Sequence, residues 1–294
     1  MVVAAWGEPV NPWLARRVLA FAHRGGAREG PASTLAAMEA ALAAGADVLE
    51  LDVHASADGA LVCCHDDTVD ATTDGRGPIA AHALAELERL DAAYSFVPGV
   101  GSRPGGPAND YPLRGRAPTD PRYRIPTLEA VISAFPTALL NLDIKAGPPE
   151  VPAFEHRLVQ LLRSHGRGAE TIVASFREDR LARFRAAGPE IATAASPAEI
   201  AAFVQAVRQG ATPPPSRATC LQIPSTFAGL ALVDGELVEA AHMAGLAVHV
   251  WTVDDPAEMA DLVGLGVDGI MSDLPTALVG VLRSLRSRWV RGAA

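Results

Sequence analysis

The sequence predicts a closed (β/α)8 barrel interrupted by an insertion after its second strand. Three observations carry this reading. Eight short apolar runs alternate with stretches whose apolar residues recur at helical spacing. Glycines fall where the helices should stop. Polar and charged residues collect at the ends of the apolar runs, which in such barrels form the face that carries the active site. The chain has 294 residues, and a barrel of this kind takes about 250. A doubly wound open sheet is the alternative, but no G-x-G-x-x-G follows the first apolar run.

The expected strands, in order, are Val18–Ala22, Val48–Val53, Leu139–Ile144, Thr171–Ser175, Ile191–Ala194, Thr219–Ile223, Ala247–Thr252 and Gly269–Ser272. Helices are expected near Ser33–Ala44, Thr127–Phe135, Val151–Ser164, Asp179–Ala187, Pro197–Gln209, Gly235–Ala244, Pro256–Val263 and Pro275–Arg288. Several open on Pro, Ser or Thr, and Gly45, Gly188, Gly210, Gly245 and Gly266 stand at their expected ends. Two places break the alternation. Gly59–Val62 reads as a return strand closing a hairpin over Ala57-Asp58-Gly59. Asp74–Arg124, rich in Gly, Pro and Arg, is too long for a plain strand-to-helix loop. Because it follows the second strand it is expected over the C-terminal face, as a lid or specificity element within one domain spanning residues 1–294; a surface excursion is the alternative.

Composition narrows the function. The formal charge of −9 argues against a broad nucleic-acid-binding face. Cys63 and Cys64 are adjacent and Cys220 is remote, so neither a disulfide framework nor a cysteine zinc site is indicated. The start, Met1 to Ala22, holds Glu8, Pro9, Pro12, Arg16 and Arg17 and no apolar run of signal-peptide or membrane-span length. A soluble, cytoplasmic protein without stable membrane insertion is expected. Basic residues are almost all arginine, and Lys145 is the single lysine. A site that needs a compact ammonium cannot accept a planar guanidinium; chance retention in an arginine-biased chain is the other explanation.

The strand ends bring the chemistry together. His23-Arg24 ends the first strand, and Glu50 and Asp52 share one side of the second through the two-residue period of an extended chain. His65-Asp66 follows the hairpin, Asp143 and Lys145 repeat the i, i+2 spacing on the third strand, and Trp251 ends the seventh. Three carboxylates in a buried parallel sheet need a cation. Oxygen ligands suit a hard divalent ion, Mg²⁺ or Ca²⁺, rather than zinc. In the alternative arrangement Arg24 and Lys145 neutralise Glu50, Asp52 and Asp143 as a buried ion-pair network. Two histidines, an arginine, a lysine and a bound cation suit a small phosphodiester: the cations offset charge on the phosphate oxygens, one histidine deprotonates the attacking oxygen and the other protonates the departing alkoxide. His54, His82, His156, His165, His242 and His249 have no comparable setting and are read as surface or packing residues.

These residues resemble the glycerophosphodiester phosphodiesterase family. The resemblance rests on His23-Arg24-Gly25-Gly26, Pro31-Ala32-Ser33-Thr34-Leu35, Glu50-Leu51-Asp52-Val53, Asp58-Gly59, His65-Asp66 and Thr72-Thr73-Asp74-Gly75. It continues through Ile125-Pro126-Thr127-Leu128-Glu129, Asn141-Leu142-Asp143-Ile144-Lys145, Ser175-Phe176, Trp251-Thr252-Val253 and Gly266-Val267-Asp268-Gly269-Ile270. It implies a barrel that hydrolyses glycerophosphodiesters to glycerol phosphate and an alcohol with one divalent cation. By that likeness His23 and His65 are the acid/base pair, Glu50, Asp52 and Asp143 hold the metal, Arg24 and Lys145 grip the phosphate, and Trp251 and Phe176 line the glycerol or alcohol pocket. Four positions depart from the family pattern: Ala32-Ser33 replaces Glu-Asn, Asp143 replaces a glutamate, and Ala71 replaces an arginine.

Two further readings stay open. The substrate can instead be a lysophospholipid, with Tyr94, Phe96, Val97 and Tyr111 of the insertion holding its acyl chain, or the barrel can bind phosphodiesters without turning them over. In the last helix Leu282, Leu285 and Trp289 recur at helical spacing among Arg283, Arg286, Arg288 and Arg291. Packing of that apolar stripe against the sheet is expected, with contact to anionic lipid as the alternative.

Overall fold

The computed structural model describes residues 13, 14, 18–145 and 147–285. Eight parallel strands form the barrel: Leu19–His23, Val48–Ala55, Leu139–Ile144, Thr171–Ala174, Ala192–Thr193, Cys220–Pro224, Ala247–Trp251 and Gly269–Ser272. Each pairs with its neighbours in chain order, and the eighth pairs with the first. The ring closes between the fifth and sixth through one bridge, Ala194 to Cys220, flanked by Thr219 N–H donating to Thr193 O and Ala195 N–H donating to Cys220 O. That thin seam is why the fifth strand, expected over four residues, is regular over two. The return strand is Leu61–Cys63, later than expected, because Ser56 accepts from Ala60 N–H and the turn through Gly59 (φ 87°) takes up the difference.

Local chemistry sets the helix ends. Thr34, Thr127, Ser196, Asp234 and Asp255 cap free N–H groups at helix starts, and Ser196 with Glu199 forms a capping box. Gly45 closes the first helix in the left-handed region, φ 109°, where a Cβ is disfavoured. Helices pack outside the ring over two apolar layers. One holds Leu49, Leu51, Leu140, Leu142, Phe154 and Leu158; the other holds Leu221, Ile223, Val248, Val250, Leu262 and Ile270. Each fully buried side chain of this size contributes roughly 1.5–3 kcal/mol. The alternate strand residues fill the interior, among them Phe21, Val48, Ile172, Cys220, Ala247 and Met271.

The insertion is ordered around a small cluster of Val69, Ile79, Leu87, Ala92 and Ile125 that shares Val62 and Cys64 with the return strand. Its hairpin, Phe96–Val97 with Gly101–Ser102, rests on the loop after the first strand, where Arg28 and Gly99 exchange hydrogen bonds. The acyl-chain cradle of the alternative lysophospholipid reading is not formed by these aromatics. Phe96 and Tyr111 are buried, and the Arg114 guanidinium lies over the rings of both Tyr94 and Tyr111 at 4.1 and 3.8 Å. These aromatics hold the insertion together instead.

The last helix is described over Pro275–Leu285. Leu282 and Leu285 pack against the core, and Arg283 donates to Ala44 O at the end of the first helix. Arg286, Arg288, Trp289 and Arg291 lie outside the described residues. No helix among the described residues is long and apolar enough to cross a membrane.

Candidate active site

A cavity of about 190 Å³ opens at the C-terminal ends of the strands. It brings together all nine expected site residues: His23, Arg24, Glu50, Asp52, His65, Asp143, Lys145, Phe176 and Trp251. Register explains the clustering, because His23 lies opposite Glu50 and Asp52 opposite Asp143 on neighbouring strands.

Each histidine is held by a carboxylate. His23 Nδ1 is 2.6 Å from Asp273 Oδ1, with Nε2 3.9 Å from Glu50 Oε2. Burial alone would depress His23, but the Asp273 hydrogen bond and the Glu50 charge outweigh it and raise its pKa above the usual imidazole value. His65 Nδ1 is 2.6 Å from Asp66 Oδ1, a bond that draws Asp66 below the usual carboxylate range. In both rings the carboxylate takes Nδ1 and leaves Nε2 for proton transfer. Behind His65, buried His54 places Nε2 3.3 Å from the His65 carbonyl.

The carboxylates are short of positive charge. Lys145 Nζ bridges Asp52 at 3.0 Å and Asp143 at 2.7 Å, and Arg24 Nε lies 3.5 Å from Asp52. Arg24, at φ 52°, turns its N–H onto Glu50 at 3.0 Å. Two permanent cations thus face three carboxylates, before a phosphodiester adds its own charge. Burial, with the Asp52 charge second, pushes Glu50 up to about 7, and burial also raises Asp143. Asp52 Oδ2 and Asp143 Oδ1 have no hydrogen-bond partner. No three His, Cys, Asp or Glu side chains among the described residues form a ready cluster of ligands, and Lys145 holds Asp52 and Asp143 on its ammonium. The donor set nevertheless fits a hard cation: three buried carboxylates on adjacent strands, two with a spare oxygen.

Opposite this polar wall, Phe176 meets Trp251 edge-on at 5.8 Å and lies 5.5 Å beneath the Lys145 ammonium. Asn141 and Gln222 form the floor, joined at 2.7 Å. Sequence reasoning passed over Asp273, Asn141, Gln222 and the support given by His54. Asp273 carried a usable signal, being a charged residue directly after the eighth strand. Ala32 and Ser33, two of the departures from the family pattern, border a separate space of about 50 Å³ behind Arg24, His65 and Asp66. Ala71 is tied to the insertion, its carbonyl accepting from Ser102 Oγ.

A (β/α)8 barrel whose mouth joins two carboxylate-backed histidines to arginine, lysine and surplus carboxylates defines an enzyme of phosphate ester chemistry. A sequence profile of the glycerophosphoryl diester phosphodiesterase family matches residues 23–277. The chain belongs to that family and is a phosphoric diester hydrolase. A glycerophosphodiester phosphodiesterase of Caldanaerobacter subterraneus is 30% identical over 269 residues, covering 91% of this chain and 98% of the relative. An Oleispira antarctica phosphodiesterase, solved with the product sn-glycerol-3-phosphate, is 26% identical with a TM-score of 0.67 over 90% of this chain and 96% of that one. The same fold occurs in the glycerophosphoryl diester phosphodiesterase domain of an uncharacterized Mycobacterium tuberculosis protein, at 24% identity and a TM-score of 0.75, covering 90% of this chain and 98% of that one.

Proposed function

We propose that the chain hydrolyses glycerophosphodiesters to glycerol phosphate and an alcohol by histidine acid–base catalysis, with one divalent cation, Mg²⁺ or Ca²⁺, held by Glu50, Asp52 and Asp143. The observation that carries this is the pairing in one cavity of His23–Asp273 and His65–Asp66 with buried carboxylate oxygens of Asp52 and Asp143 that accept no hydrogen bond. The phosphate's non-bridging oxygens would take the Arg24 guanidinium and the Lys145 ammonium once Lys145 leaves Asp52 and Asp143. One histidine removes the proton from the attacking oxygen; the other protonates the alkoxide as its bond to phosphorus breaks, which matters because an alkoxide leaves poorly at neutral pH. Trp251 and Phe176 give the glycerol or alcohol carbons an apolar wall. The cation, when bound, supplies Lewis-acid compensation of the charge developing on phosphate. Three buried free thiols and no disulfide among the described residues suit a cytoplasmic setting.

The test is turnover of glycerophosphocholine with and without EDTA. Activity lost to EDTA and restored by Mg²⁺ or Ca²⁺ is expected. Turnover that ignores EDTA, together with unchanged calorimetric Mg²⁺ and Ca²⁺ binding in Glu50→Ala and Asp52→Ala, removes the cation from the reading.

A further inference from the structure

Asp273 holds His23 from the first residue beyond the eighth strand, where the strand ladder no longer fixes the chain. Among the described residues its carboxylate is hydrogen-bonded to His23 alone, at 2.6 Å. The side chain therefore takes its place from its own backbone. Both polar groups of that backbone are engaged: the Asp273 N–H donates to Asp254 Oδ1 at 2.9 Å, and the Asp273 carbonyl accepts from the Arg28 N–H at 3.1 Å. Asp254 and Arg28 are in turn paired, Nη1 to Oδ2 at 3.2 Å. The three residues close a ring around the Asp273 backbone, drawn from the loops after the first, seventh and eighth strands.

The ring is braced on two sides. Ser272, fully buried at the end of its strand, donates its hydroxyl to the same Asp254 oxygen at 2.9 Å and accepts from the Leu274 N–H at 3.0 Å. On the other side Arg28 Nε donates to Gly99 O and the Gly99 N–H donates to Arg28 O, both at 2.8 Å, so the tip of the insertion is joined to the same arginine. The guanidinium reaches Gly99 through Nε and Asp254 through Nη1 from one rigid plane, which a lysine ammonium does not offer. The Asp254 carboxylate serves a hydroxyl, a backbone N–H and a guanidinium at once, through charge-assisted bonds that are stronger than neutral ones. Neither Arg28 nor Asp254 lines the cavity. Their reach to the reaction is through Asp273.

We infer that Asp254 is a positioning residue for the hydrolysis: held by Arg28 and Ser272, it fixes the Asp273 backbone and through it the orientation of the His23 ring. The inference rests on the acid–base role proposed for His23. Without Asp254 the imidazole stays in place but its carboxylate partner is loosened, and misplacement of a reacting group by about 1 Å costs on the order of 10²-fold. Because Asp254 acts at one remove from the ring, Asp254→Ala is expected to lower kcat roughly tenfold, the lower end of what loss of an outer hydrogen-bond partner costs. KM should be unchanged, since Asp254 stands outside the cavity.

The experiment is steady-state kinetics on glycerophosphocholine for Asp254→Ala and Asp254→Asn, with Asp254→Ala placed also in the His23→Ala background. Asparagine keeps an oxygen for the Ser272 hydroxyl and the Asp273 N–H, so it should restore most of kcat. In the His23→Ala background Asp254→Ala should cost nothing further, because no imidazole is left to orient. An equal loss in both backgrounds, a fall in kcat/KM that resides in KM, or an asparagine no better than alanine overturns the inference and leaves Asp254 a structural residue. Asp254→Ala at wild-type kcat while His23→Ala is impaired also overturns it and leaves the acid–base reading standing. His23→Ala at wild-type kcat removes that reading, and the inference with it.

Discussion

His23 and His249 both lie within the barrel, one at its mouth and the other two residues deeper along the seventh strand than Trp251. His23 meets the carboxylates of Asp273 and Glu50 and is raised. His249 is fully buried beside Phe21, ring centroids 4.7 Å apart, and Trp13 at 6.3 Å. Burial drives it down to about 3, against a smaller opposing hydrogen bond with the Trp13 backbone. The same side chain is thus held by carboxylates and raised at one level, and made a neutral packing element at the other. Desolvation acts on both, and only the partnered ring overcomes it. The polar layer sits where the strands end because loop residues such as Asp273 and Asp66 can reach it there.

The largest break in this contrast comes from the mouth. Replacing His23 or His65 with Ala should lower kcat by roughly 10²–10⁴-fold with thermal unfolding little changed, since general acid–base catalysis contributes about that much. Steady-state kinetics in which both variants keep wild-type turnover would reassign the proton transfers. Asp273→Asn should cost less, roughly 10–100-fold, because it leaves the ring present but poorly oriented, much as loss of an outer hydrogen-bond partner does in metal sites. The loss belongs in kcat with KM nearly unchanged; a matching rise in KM would make Asp273 a substrate-binding group instead.

Much of this was legible in the chain. Eight apolar runs survived as eight strands because the two-residue and helical periods persist over the whole length, and Asp143 and Lys145 could be placed together because they are two apart on one strand. The Asp273 contact spans 250 residues and exists only once the eighth strand lies beside the first. Asn141 and Gln222 meet across the floor for the same reason. Ring closure, which no local pattern encodes, brings them together. The aromatics of the insertion misled in the opposite way: Tyr94 and Tyr111 offered hydrophobic area, but nothing nearby in sequence showed that Arg114 would fill the space between them.

Lower in the barrel the effects fall on stability. Gly269 pairs with His249 in register, and a Cβ there would come within 2.4 Å of Phe21 and 3.0 Å of His249. Gly269→Ala should therefore destabilise by about 1–3 kcal/mol, the usual cost of overpacking a filled core. Denaturant unfolding would read it, and a neutral result would mean that Phe21 can move aside.

The smallest effect tests the depressed histidine itself. In the unfolded chain His249 takes a proton near its ordinary value of 6.5, while the folded chain refuses it down to about 3. The unfolded state therefore binds more protons between these values, and stability is lost as pH falls from 6.5. A single such group gives a slope of at most about 1.4 kcal/mol per pH unit, or about 2 kcal/mol between pH 6.5 and 5. His249→Leu removes the titration and keeps an apolar side chain in the layer, so its stability should vary less over that range. Wild type and variant both keep His23, whose raised pKa works in the other direction, so the difference between their curves isolates His249. Parallel curves from pH 6.5 to 5 would show that the buried ring accepts a proton in the folded chain, and the contrast between the two ends of the barrel would then lie in packing alone.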